Sequence, residues 1–96
     1  MHDILIVEDN ESLREILREA LHTKEYRTQD CATAEEGLEK FRETDFDLLI
    51  TDLKLPGIDG ISLLEQVKKI KPSTEVIVIT AHGNVDAAVS AARHKR

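Results

Sequence analysis

Three short apolar runs, Ile4-Leu5-Ile6-Val7, Leu48-Leu49-Ile50 and Val76-Ile77-Val78-Ile79, constrain this chain more than any other feature of it. None alternates with polar residues, so each reads as a strand covered on both faces, the kind found in parallel sheets flanked by helices. The segments around them carry helical spacing. Leu13, Ile16, Leu17, Ala20 and Leu21 form one stripe; Ala34, Leu38 and Phe41 a second; Leu63, Leu64, Val67 and Ile70 a third; and the small residues Val85, Ala88, Val89 and Ala92 a fourth. Thr33-Ala34-Glu35-Glu36 matches a capping box and marks the start of the second helix. Residues 27 to 32 are mostly polar, with only Cys31 and Ala32 suited to burial, which fits an edge strand. The alternation predicts an α/β fold, a doubly wound parallel sheet with four strands and four helices and right-handed crossovers, forming one domain over residues 1–96. A chain of this length buries about 60 to 65% of its unfolded surface, so its core is marginal.

Thirteen Lys and Arg against nineteen Asp and Glu leave a net charge of -6, which argues against nucleic acid or an anionic membrane as partner through a general positive field. The first apolar run is too short for a signal-peptide core and ends in Glu8-Asp9, so the cytoplasm is the expected compartment. The single Cys31 has no internal disulfide partner and reads as a small packed residue. His2, His22, His82 and His94 lack metal-ligand spacing; His82 follows Thr80 closely enough to reach a site there, although an exposed loop histidine is the simpler reading.

In open α/β sheets, ligands bind beyond the carboxyl ends of the strands. Glu8 and Asp9 follow the first strand, Asp52 ends the third and Thr80 ends the fourth. Taken singly, each has an ordinary reading: Asp52 as a turn or cap residue, Asp9 or Asn10 as the cap of the first helix, Thr80 as a strand-end hydroxyl. Pro56-Gly57 and Asp59-Gly60 are loop punctuation on any reading. Together, three carboxylates at one rim repel one another unless a cation neutralises them, and an all-oxygen set with room for phosphate suits Mg²⁺. A carboxylate beside Mg²⁺ can attack a phosphoryl group, and a rigid strand end holds Asp52 for that attack better than a loop would. The hydroxyl of Thr80, followed by the small Ala81, would donate to a phosphoryl oxygen.

The segments ILIVEDN, DLLITDLKLPGIDG and VIVITAHG, in this order and spacing, closely resemble the receiver domains of bacterial two-component response regulators, with wording most like the nitrogen-regulation type. The resemblance implies a flavodoxin-like sheet of strand order 2-1-3-4. It puts the phosphoacceptor on Asp52, the acidic metal pair on Glu8 and Asp9, the backbone carbonyl that completes the Mg²⁺ shell on Lys54, and the switch hydroxyl on Thr80. It also implies a sensor histidine kinase as phosphoryl donor, hydrolysis of the aspartyl phosphate as reset, and an output domain regulated elsewhere. It makes the chain a signalling domain, an enzyme only toward its own phosphorylation and dephosphorylation.

Such receivers continue into a fifth strand with a switch aromatic, a Lys-Pro and a fifth helix, whereas this sequence departs from the pattern after His94. The expectation is therefore a receiver truncated before the fifth strand, with the apolar fourth strand as an unsuited edge and a barely stable monomer. A homo-oligomer through the fourth strand and fourth helix would cover that edge. The alternative function is a phosphorylation-impaired receiver acting only as an interaction module. An aspartyl-nucleophile phosphatase fits poorly, because the second Asp it needs two residues on is Lys54 here, and no glycine-rich phosphate loop follows the first strand. The basic end Arg93-His94-Lys95-Arg96 suits a helix C-terminus.

Overall fold

The computed structural model describes residues 2–79. The expected fourth helix, Thr80, His82 and the basic end lie outside the described residues. Within them the order is β1 (Asp3–Val7), α1 (Glu11–His22), β2 (Arg27–Cys31), α2 (Ala34–Glu43), β3 (Leu48–Asp52), α3 (Gly60–Ile70) and β4 (Glu75–Ile79). The strands form one parallel sheet in the order β2-β1-β3-β4, as the sequence and the resemblance predict. The polar β2 is an edge strand, exposed at Arg27 and Gln29 and buried at Cys31.

Period-two alternation sorts the strand side chains onto two faces. Leu5, Val7, Leu49, Val76 and Val78 meet Leu38 and Phe41 of α2 and Leu63, Leu64 and Val67 of α3, with Phe46 beneath them. Ile4, Ile6 and Ile50 form the second core, against which Leu17 and Leu21 of α1 and Tyr26 pack. The helices start where short polar side chains cap them: Asn10 Oδ1 accepts from the Leu13 amide, Thr33 Oγ1 from Glu36, and Asp59 Oδ1 from Ser62. Asp59 is thus a helix cap as well as loop punctuation.

α1 carries the expected apolar stripe, but none of its residues is fully buried. Its Arg14 and Arg18 face β2 through Asp30, while Leu13, Leu17 and Leu21 are half-buried and Ile16 is 61% exposed. The same face of β4 carries Ile77, 47% exposed. One helix lies over the β2-β1 half of this face, and among the described residues nothing equivalent lies over the β3-β4 half. Ile70, at the last position of α3, is also exposed.

Two glycines set the β3-α3 connection. Gly57, after Pro56, has φ +78°, a conformation costly for any residue with a side chain. At Gly60 a Cβ would fall 2.1 Å from the Asp52 carbonyl oxygen, so α3 can begin this close to the strand end only without one. Gly60→Ala should therefore cost about 1 to 3 kcal/mol in urea-unfolding free energy. Gly37→Ala should cost less, because its Cβ would meet a side chain, Val7 Cγ2 at 2.8 Å, rather than backbone, and gains helix propensity.

Candidate functional site

β1 and β3 pair in parallel with Val7 opposite Thr51, so one step further places Glu8 opposite Asp52. Both continue the parity of Ile6 and Ile50, which belong to a single cluster on one face, and both side chains therefore leave the sheet on the same side. Asp9 follows Glu8 into the turn before α1, and because Asn10 takes the helix cap, the Asp9 carboxylate is left exposed. The outcome is that one oxygen from each of Glu8, Asp9 and Asp52 lies within 4.8 Å of the others. The three acids predicted from the sequence thus do meet at the rim.

Their surroundings are unequal. Glu8 is 1% exposed and Asp52 8%. Glu8 Oε2 accepts from the Asn10 amide at 2.9 Å, whereas Glu8 Oε1 is buried with no hydrogen-bond partner. Asp52 Oδ1 accepts from the Lys54 amide at 3.1 Å, while the Lys54 side chain extends into solvent. The chain around Asp52 is fixed on the far side as well, since the Leu53 amide bonds the Ile79 carbonyl and the Gly60 amide bonds the Leu53 carbonyl. Thr80, next in the chain after Ile79, lies outside the described residues.

Two full negative charges this close repel by about 3 to 4 kcal/mol at the effective dielectric of a protein surface. An orphaned buried carboxylate oxygen adds a desolvation cost of its own. A hard divalent cation removes both, and an all-carboxylate donor set with one exposed, solvent-accessible member fits Mg²⁺, which retains several waters. Burial, together with the Asp52 charge, pushes the Glu8 carboxyl up to about 7, against the opposing pull of the Asn10 amide. Cys31 is buried, and burial raises its thiol to about 11, which leaves it inert at neutral pH.

The sequence reading missed Arg14 and Asp30. Arg14 Nη1 donates to the Glu8 carbonyl at 2.8 Å and its Nε to Asp30 at 2.9 Å. The signal was present, a cation between Leu13 and Leu17 and an acid in a strand otherwise suited to the edge, yet only the tertiary arrangement pairs them. A cavity of about 500 Å³ bordered by Phe41, Arg42, Ile70 and Lys71 lies at the opposite end of the sheet. There Lys71 is occupied by Asp45 and the Phe46 carbonyl, so it is not a free catalytic group.

The folded state holds the Glu8 proton up to about pH 7, whereas the unfolded chain releases it near the ordinary 4.5. Between those values the folded form binds more protons, so stability without metal is greatest below the lower value and falls as pH rises through the upper one, by about 3 kcal/mol in all. Urea midpoints in a chelator at about pH 5 and about pH 8 should show that fall. Glu8→Gln should flatten it, and a parallel fall in the variant would refute the assignment.

Comparison with known proteins agrees with this geometry. Residues 4–95 match the response regulator receiver domain family. The DNA-binding transcriptional regulator NtrC of Escherichia coli K12 is 40% identical over 91 residues, covering 92% of this chain and 19% of the relative, so the chain spans about a fifth of that protein's length. Sporulation initiation phosphotransferase F of Bacillus subtilis is 36% identical over 83 residues, covering 86% of this chain and 67% of the relative. Among solved structures, the response regulator TrrA of Thermotoga maritima in complex with Mg²⁺-BeF superposes with a TM-score of 0.84 at 34% identity, over 96% of this chain and 82% of that one.

Proposed function

Because the chain belongs to the response regulator receiver domain family, we propose that its acidic rim is a phosphoacceptor site. In this reading Asp52 takes a phosphoryl group from a phosphohistidine on a sensor histidine kinase. Glu8, Asp9, Asp52 and the Lys54 backbone carbonyl hold Mg²⁺, and Thr80 supplies the switch hydroxyl. The observation that carries the proposal is the convergence of three carboxylate oxygens within 4.8 Å of one another at a residue, Glu8, that also carries a buried oxygen with no hydrogen-bond partner. The Mg²⁺ in the Thermotoga relative supports the choice of ion.

When bound, Mg²⁺ supplies positive charge that offsets the three acids and the phosphoryl oxygens. The chain's own groups do the rest. The Lys54 amide holds one Asp52 oxygen, which leaves the other to attack phosphorus in line with the leaving nitrogen. The new bond is O–P, the bond broken is P–N, and its electron pair stays on the departing imidazole. Rigid placement is the main catalytic contribution, because β3 is paired on both sides and cannot let Asp52 drift. The Thr80 hydroxyl then donates to a phosphoryl oxygen, coupling the modification to the chain that follows β4. Hydrolysis resets the domain. By analogy with NtrC, the phosphorylated receiver regulates the output domain of a transcription factor. In this reading the domain works in the cytoplasm, where its kinase partner would act. Among the described residues, no helix is long and apolar enough to cross a membrane.

Incubation with a small-molecule phosphodonor and Mg²⁺, followed by intact mass, should give a single phosphoryl adduct that is absent in Asp52→Asn and in a chelator. An adduct that persists in Asp52→Asn would remove Asp52 from the role.

The exposure of Ile77 and Ile16 on one face favours a second reading. Here the domain acts through its surfaces, and copies associate through the fourth strand and the helix expected after it, whether or not Asp52 is modified. Sedimentation at micromolar concentration should then show association that weakens in Ile77→Glu. A compact, cooperatively unfolding monomer at that concentration would end this reading.

A further inference from the structure

The amide, the carbonyl and one carboxylate oxygen of Glu8 are each held by a different part of the fold, and one of those holds comes from a side chain with no direct part in the acidic cluster. The Glu8 amide bonds the Cys31 carbonyl of β2 at 3.0 Å, the carboxylate accepts from the Asn10 amide, and the carbonyl accepts from Arg14 Nη1 at 2.8 Å. Arg14 is largely buried, its side chain 18% exposed, and its Nε donates to Asp30 Oδ2 at 2.9 Å. The same Asp30 oxygen accepts from Arg18 Nη1 at 3.1 Å. We propose that Arg14 is a positioning residue for the cation site, fixing the Glu8-Asp9 turn through the Glu8 carbonyl while Asp30 of the edge strand fixes the plane of its guanidinium.

The inference rests on the reading of the acidic rim as a cation site and adds a residue to it. Two features separate positioning from a merely structural ion pair. Arg18 already ties α1 to Asp30, so the helix keeps its link to β2 without Arg14, and what only Arg14 supplies is the bond to Glu8. That bond also needs two donors at fixed angles, Nε toward Asp30 and Nη1 toward Glu8. A planar guanidinium provides this and a lysine ammonium does not, although lysine keeps the charge and most of the apolar stem. The turn matters because Glu8 and Asp9 are successive residues. Releasing the Glu8 carbonyl lets the intervening peptide rotate, and both ligand oxygens move together against Asp52.

The test is calorimetric titration of the 96-residue chain with MgCl₂, comparing wild type with Arg14→Lys, Arg18→Lys and Asp30→Asn, with urea midpoints measured alongside. Groups that orient metal ligands typically change affinity by about 10- to 100-fold when lost. Arg14→Lys is expected to weaken Mg²⁺ binding by about tenfold, the low end of that range, while Arg18→Lys stays close to wild type. Asp30→Asn is expected to weaken binding in the wild-type background and to add little to Arg14→Lys, because Asp30 acts through Arg14. Equal Mg²⁺ affinity in wild type and Arg14→Lys overturns the inference, as does an equal loss in Arg18→Lys. Should Arg14→Lys fail to fold, wild-type affinity in Asp30→Asn overturns it instead. Absence of any Mg²⁺ binding by folded wild type overturns the cation reading, and this inference with it. Binding that Arg14→Lys leaves untouched sinks this inference alone.

Discussion

The parallel pairing of β1 with β3 is the interaction on which the rest of the molecule depends. Its register, Val7 beside Thr51, carries Glu8 to Asp52 at the next step, and a slip of one residue would send one of the two carboxylates to the opposite face. The register is fixed by apolar side chains. Leu5, Val7 and Leu49 must enter the core under α2 and α3, while Ile4, Ile6 and Ile50 must enter the core under α1. Each core would lose several buried side chains if the pairing moved. The position of three acids at the rim is thus enforced by six hydrophobic residues below it, none of which touches a ligand.

That arrangement maintains a site the protein would not otherwise tolerate. Glu8 and Asp52 are buried charges beside one another, with one Glu8 oxygen lacking any hydrogen-bond partner. Folding alone does not reward such a cluster, and the rise in the Glu8 pKa to about 7 is the expression of its strain. The surrounding structure holds it from several directions: the Asn10 and Lys54 amides on the carboxylates, the β2 carbonyl and Arg14 on the Glu8 backbone, and the bare Gly60 that lets α3 begin against Asp52. Electrostatic strain concentrated against rigid support is the usual physical mark of a binding site.

The two faces of the sheet differ in a way that bears on function. The face under α2 and α3 is closed, with Leu63, Leu64 and Val67 fully buried. Among the described residues the α1 face is covered by a helix only over β2 and β1, and Ile16 and Ile77 are exposed. A parallel sheet normally has both faces covered. The half-covered region also borders β4, whose last residue, Ile79, is paired with Asp52. The surface proposed for association and the proposed phosphoacceptor are therefore joined by one strand.

Much of this was legible in the residues themselves. The continuous apolar runs required a parallel α/β sheet because unalternating strands must be covered on both sides, and Thr33, with Glu36 three residues on, marked a helix start because orphaned amides need an acceptor. The acids Glu8, Asp9 and Asp52 were visible because each stands where an apolar run stops, which in this fold class is where ligands bind. What the sequence left open was everything set by the angle of one element on another. The seating of α1 against β2 has Arg14 and Arg18 reaching Asp30 in a different strand, a pairing sixteen and twelve residues apart along the chain. The same contact turned Arg14 from an ordinary helix cation into the donor that holds Glu8. Local pattern determines which elements form and where they end, because hydrogen bonding and burial act within a few residues. Only the assembled sheet determines which side chains from different elements share a few ångströms of space, because that depends on packing across the whole domain.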